Sequence, residues 1–141
     1  FIADLSYAGL GAAGAALLDI EWHKVNDGKD VNVAEFEAAV AEKLGLPEEL
    51  TFRYRSTYFK HIFGSDGYAA GYYTYLWAEV LDADGFELFK EKGVFDKATA
   101  DAFRTNVREM GGSEDPMKLY INFRGQEPNP DALLRNRGLL K

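Results

Sequence analysis

Three tyrosines and a histidine are the residues of this chain best suited to chemistry. Tyr68, Tyr72 and Tyr75 stand at i, i+4 and i+7 in the stretch Tyr68-Ala-Ala-Gly-Tyr-Tyr-Thr-Tyr-Leu-Trp77, just after His61 and a Gly64-Ser-Asp-Gly67 loop. Read as a helix, that spacing puts three phenols on one face. A phenol titrates near pH ~10, so at neutral pH it keeps its proton and can donate a hydrogen bond to an oxygen gaining negative charge. An aromatic stripe at helical spacing is more often core, so the pattern alone favours packing over chemistry. Tyr73, Leu76, Trp77, Val80 and Leu81 fall on a second face, an ordinary core stripe. His61 sits among Phe59, Ile62 and Phe63, where an isolated histidine is more often structural than functional.

The elements that must position these groups all read as helices. Ile2 to about Lys24 is a helix rich in small residues, broken by Asn26-Asp-Gly28. Asn32, with Glu35 three positions on, has the form of a capping box with Asn in place of Ser or Thr. Val33, Phe36, Val40 and Leu44 continue from it as a helical stripe that Gly45 and Pro47 stop. Ser56 caps a short helix ending near Phe63, and a long helix runs from about Ala69 to Lys92 with Gly85 inside it. Asp96 caps a helix whose apolar stripe is Ala100, Phe103, Val107 and Met110. Asp115-Pro116 and Asn129-Pro130 each set a capping residue before a proline at the first helical position. No segment alternates at period two long enough for a strand. The expected fold is all-α: a compact multi-helix domain, with residues 1–141 as a single helical domain.

Composition narrows the function classes. A net charge of −7 argues against a nucleic-acid partner and against an anionic membrane surface. The absence of cysteine excludes a disulfide scaffold and fits a cytoplasmic setting. The longest apolar stretch, Tyr7 to Leu18, is rich in Gly and Ala and too short to span a bilayer. Gly9-Leu-Gly11-Ala-Ala-Gly14 matches the dinucleotide pattern G-x-G-x-x-G. That pattern needs a strand before it and a helix after it, whereas the residues before it here look helical. Small residues that let two helices approach closely are the better reading.

Longer blocks carry a family resemblance. The stretch Phe52-Arg-Tyr-Arg-Ser-Thr-Tyr-Phe-Lys-His61-Ile-Phe-Gly, followed by Gly67-Tyr-Ala-Ala-Gly-Tyr-Tyr-Thr-Tyr-Leu-Trp-Ala-Glu79, resembles the C-terminal end of the thimet oligopeptidase family of zinc metallopeptidases. The bacterial peptidyl-dipeptidase branch is the most similar. Leu18-Asp-Ile-Glu-Trp-His23, Gly111-Gly-Ser-Glu-Asp-Pro-Met117, Phe123-Arg-Gly125 and Pro130-Asp-Ala-Leu-Leu-Arg-Asn-Arg-Gly138 extend the likeness over nearly the whole chain.

The resemblance implies a catalytic set of Tyr75, Tyr68 and His61, with Tyr72 and Gly67 contacting substrate. In this reading Tyr75 donates to the tetrahedral oxyanion, while Tyr68 and His61 bind the peptide nearby. Zinc, held in the family by a His-Glu-x-x-His helix and a further glutamate, would activate the attacking water. This chain has only two histidines, His23 and His61, with no such motif, so no metal ligand is expected in it. His23 receives no chemistry and is read as meeting the terminal carbonyls of its helix.

The chain is therefore expected to be the C-terminal, substrate-side part of a longer enzyme, lacking the zinc helix and inactive when isolated. Short peptides and the missing N-terminal part of the same enzyme are its expected partners. The isolated chain is expected to self-associate through surfaces that the missing part would cover. The alternative is a free-standing, non-catalytic helical domain that binds peptides or a protein partner.

Overall fold

The structure, a computed structural model, describes residues 11–141. The expected helical start at Ile2, and Gly9 of the glycine pattern, lie outside the described residues. Among the described residues there are seven α-helices and no strand, so the protein is all-α as expected. The chain divides into two compact units, one ending at Leu76 and the other running from Trp77 to Lys141.

In the first unit, helix α1 (Gly11–Trp22) buries Gly14, Ala15, Ala16, Leu18 and Asp19. Gly11 and Gly14 lie within this helix rather than in a strand-to-helix turn, which removes the geometry a dinucleotide site requires. Helix α2 (Val33–Lys43) starts where Asn32 accepts hydrogen bonds from the Ala34 and Glu35 amides. Glu35 reaches back to the Asn32 side-chain amide at 3.1 Å, a variant of the expected capping box. Gly45, at φ 63°, takes the left-handed turn that ends the helix region. Ala15, Leu18, Val40, Phe52, Phe59 and Ile62 form the buried core, with Trp22 stacked on Phe36 at its border.

Ser56 does not cap a helix, contrary to the expectation. It opens a 3-10 turn (Ser56–Tyr58), and its hydroxyl instead accepts a 2.7 Å hydrogen bond from Trp22 Nε1. Helix α3 (Lys60–Phe63) follows and carries His61.

Helix α4 (Thr74–Lys92) begins five residues later than the expected start at Ala69. The reason is local. Ala70 adopts φ 53°, which an α-helix cannot contain, and the Ala70 and Tyr72 amides bond outside their own segment. The second face of this segment is also not the core stripe expected. Tyr73 is 50% exposed and Trp77 42% exposed.

In the second unit, Gly85 is buried in α4, and a Cβ there would stand 3.7 Å from the Phe123 ring. It marks where α4 meets helix α6 (Pro116–Arg124), which starts with Pro116 inside the Asp115 cap and stops at left-handed Gly125. Helix α5 (Lys97–Phe103) is capped by Asp96 and continues as a π-helical turn over Arg104–Arg108. Of the expected stripe, Phe103 and Val107 are partly buried, whereas Ala100 and Met110 are exposed and Thr99 is buried instead. Helix α7 (Asp131–Asn136) starts one residue after the expected Pro130, with Asn129 accepting from the Asp131 amide. Phe86, Phe89, Val107, Leu119 and Phe123 line an apolar cavity of about 550 Å³ in this unit.

Candidate functional site

The residues that hold the site are buried carboxylates on the first two helices. Asp19 of α1 is 0% exposed. Its Oδ1 accepts from the Ala70 amide at 3.1 Å and its Oδ2 from the Tyr72 amide at 2.9 Å. His23 Nδ1 lies 2.8 Å from the same carboxylate. Glu37 of α2, also buried, accepts from the Ser56 amide at 2.6 Å and pairs with Arg55 Nε at 2.6 Å. One carboxylate thus holds the tyrosine turn, and the other, with Trp22, holds the segment leading to His61. Burying these charges is tolerable because each carboxylate is met by several donors.

The expected single helix face does not exist. Tyr68 ends a 3-10 turn (Asp66–Tyr68), Tyr72 lies in the turn that follows, and Tyr75 stands in the first turn of α4. The phenols nevertheless converge. The His61 ring lies 4.9 Å from Tyr68, 5.6 Å from Tyr72 and 6.0 Å from Tyr75, centroid to centroid. Tyr72 and Tyr75 are 5.1 Å apart. A left-handed residue at Ala70 reverses the chain between Tyr68 and Tyr72, at a cost of about 1–2 kcal/mol for a residue with a Cβ. Gly67 lies in the 3-10 turn, and a Cβ there would meet only Ser65 Oγ at 3.8 Å, so its backbone is not forced to be glycine.

Exposure separates the roles. Tyr68 is 54% and Tyr75 52% exposed, so both can meet a ligand. Tyr72 is half-buried, with its ring edge on Phe59 at 5.1 Å and on Tyr54 at 6.1 Å. Burial, then the neighbouring Tyr54 phenol, pushes the Tyr72 hydroxyl up to about 12. Its unfolded value is near ~10. The neutral form therefore favours the fold fully below pH ~10, and that contribution is lost as pH rises from there towards about 12. Denaturant unfolding across the alkaline range should show stability falling in this window, and Tyr72→Phe should flatten the fall. An equally steep fall in that variant would assign it to other groups.

Among the described residues no three His, Cys, Asp or Glu side chains converge to hold a metal ion. The arrangement offers neutral hydrogen-bond donors and an imidazole along one exposed wall. It can grip and polarise a carbonyl oxygen. Asp19 escaped the sequence reading as a site residue. Its one signal was a carboxylate following the apolar run over residues 12–18, in the Leu18-Asp-Ile-Glu-Trp-His23 block.

Comparison with known sequences agrees with these blocks. Residues 6–139 match the profile of peptidase family M3. The chain is 47% identical over 129 residues to a dipeptidyl carboxypeptidase of Salmonella typhimurium, covering 89% of this chain and 19% of the relative. It is 44% identical over 128 residues to a dipeptidyl carboxypeptidase of Escherichia coli, covering 89% of this chain and 18% of the relative. An oligopeptidase A of Haemophilus influenzae is 39% identical over 125 residues, 88% of this chain and 18% of the relative. The chain thus spans about one fifth of the length of these relatives. Among the described residues, no helix is long and apolar enough to cross a membrane.

Proposed function

The chain belongs to peptidase family M3, and from that premise we propose that its tyrosine–histidine cluster is the substrate-side donor wall of a peptidase acting on short peptides. The whole protein, in this reading, is a zinc metallopeptidase that releases dipeptides from peptide C-termini in the cytoplasm. The printed names of two relatives, dipeptidyl carboxypeptidases, support the dipeptide product. The observation that carries the reading is the convergence of Tyr68, Tyr72 and Tyr75 on His61 without a shared helix face. A merely packed stripe would bury all three rings, whereas Tyr68 and Tyr75 stand half open.

Among the described residues, no side chains fit a zinc site. The contribution of this chain to catalysis is positioning and electrostatic. Peptide hydrolysis passes through a tetrahedral centre whose carbonyl oxygen gains charge. A fixed O–H donor aimed at that oxygen is worth more in the transition state than in the ground state. Tyr75 fills that role, because it is exposed and its first-turn position on α4 holds its backbone rigid. Tyr68 and His61 bind the peptide beside it. Tyr72 lines the floor, with Gly67 contacting the peptide from the preceding turn. The isolated chain is inactive in this reading, since the remaining chemistry belongs to residues it does not contain.

The test is product analysis with the full-length enzyme. Peptides of defined sequence should lose dipeptides stepwise from the C-terminus, read by mass spectrometry. Release of single residues, or cleavage only at internal bonds, would overturn the dipeptidase reading while leaving the family membership intact.

A further inference from the structure

The turn bearing the tyrosines has few bonds of its own. Gly71 N–H donates to Tyr68 O at 3.3 Å, Thr74 N–H to Gly71 O at 3.1 Å and Tyr75 N–H to Tyr72 O at 3.4 Å, with the Thr74 hydroxyl on the Gly71 carbonyl at 2.8 Å. The two amides at the left-handed reversal, those of Ala70 and Tyr72, leave the turn altogether. The Tyr72 amide goes to Asp19 Oδ2, and the Ala70 amide is shared between Asp19 Oδ1 at 3.1 Å and His23 Nδ1 at 3.3 Å, across 47 to 53 positions of sequence. The carboxylate is fully buried, so these donors offset its loss of water. His23 Nδ1, 2.8 Å from both Asp19 Oδ1 and the Asp19 carbonyl oxygen, fixes the remaining side.

We propose that Asp19, steadied by His23, is a positioning residue for the tyrosine cluster. It touches no reacting atom. It sets the backbone between Tyr68 and Tyr75, and so decides where the phenols stand relative to His61. Donors aimed at a developing charge must be held within a fraction of an ångström, and a turn with strained backbone and few internal bonds does not supply that hold alone. The catalytic half of this inference rests on the proposed function. The structural half does not.

Asp19→Asn tests it with almost no change in volume. An amide offers one oxygen where the carboxylate offered two, and its NH2 would face one of the two amide donors. Hydrogen exchange comes first, on the wild-type protein. The Ala70 and Tyr72 amides should be protected although their segment is at the surface. In Asp19→Asn, exchange across 68–75 should quicken about tenfold or more while α2 keeps its protection. Turnover of peptide by the full-length variant should fall about tenfold or more, with KM changed far less. His23→Gln should move both readouts the same way by a smaller factor, and it carries the test if Asp19→Asn does not fold.

Unprotected Ala70 and Tyr72 amides in the wild type would overturn the proposal. So would equal loss of protection in α2, which would mean a general structural role, or a loosened turn with unchanged turnover. The proposed function fails separately, through normal turnover in a Tyr75 variant whose exchange pattern is intact.

Discussion

Tyr75→Phe in the full-length enzyme is expected to lower kcat about 100-fold or more while KM stays close to wild type. The substitution removes one oxygen and nothing else. The ring would keep its neighbours Tyr72 at 5.1 Å and His61 at 6.0 Å, so the cluster should persist. The Tyr75 side is half exposed, so losing the hydroxyl leaves no buried group unpaired and costs little stability. What disappears is a donor to the charge that develops on the carbonyl oxygen. Losing one donor of that kind costs about 2.7–4 kcal/mol of transition-state stabilisation. Steady-state kinetics on one peptide separates the outcomes. A raised KM at constant kcat would make Tyr75 a simple binding contact, and wild-type values for both would remove it from the site.

Phe59→Ala should be the most damaging single change to the first unit. Phe59 is 2% exposed and joins the buried core with Leu18 and Ile62. Its ring stacks on Tyr54 at 4.7 Å and meets Tyr72 edge-on at 5.1 Å. Truncation loses the transfer energy of the ring and leaves a cavity, together about 3–5 kcal/mol. That is a large part of the 5–15 kcal/mol that holds a typical domain folded. Urea unfolding should show a lower midpoint at an unchanged slope. The same change removes the floor beneath Tyr72, so peptide turnover should fall even in conditions where the variant remains folded. A loss below about 1 kcal/mol would mean that the ring is not the centre of this core.

Much of this was legible in residue order. Asn32, Asp96 and Asp115 announce helix starts because a short polar side chain before an apolar stripe can satisfy orphan amides, and all three do so in the structure. The long block from Phe52 to Glu79 carried the family resemblance, and the match to peptidase family M3 agrees with it. Other features were hidden. Ser56 looks like a cap, yet Trp22, 34 positions away, takes its hydroxyl. Met110 fits a 3.6-residue stripe, yet it stands exposed just after the π-helical turn at Arg104–Arg108.

The sequence by itself determined the all-α class, the caps at Asn32, Asp96 and Asp115 and the residues that could donate hydrogen bonds, because each rests on local spacing or on side-chain chemistry, and its long blocks carried the family resemblance. It did not determine how Tyr68, Tyr72 and Tyr75 come together. Helical periodicity predicts one face, whereas the chain reverses at Ala70 and gathers the rings around His61 by another route. Only the tertiary structure decided this, since the acceptor that stabilises the reversal is Asp19, more than fifty residues upstream and fully buried. A backbone amide takes the strongest acceptor within reach, and which acceptor is within reach is a property of the folded chain.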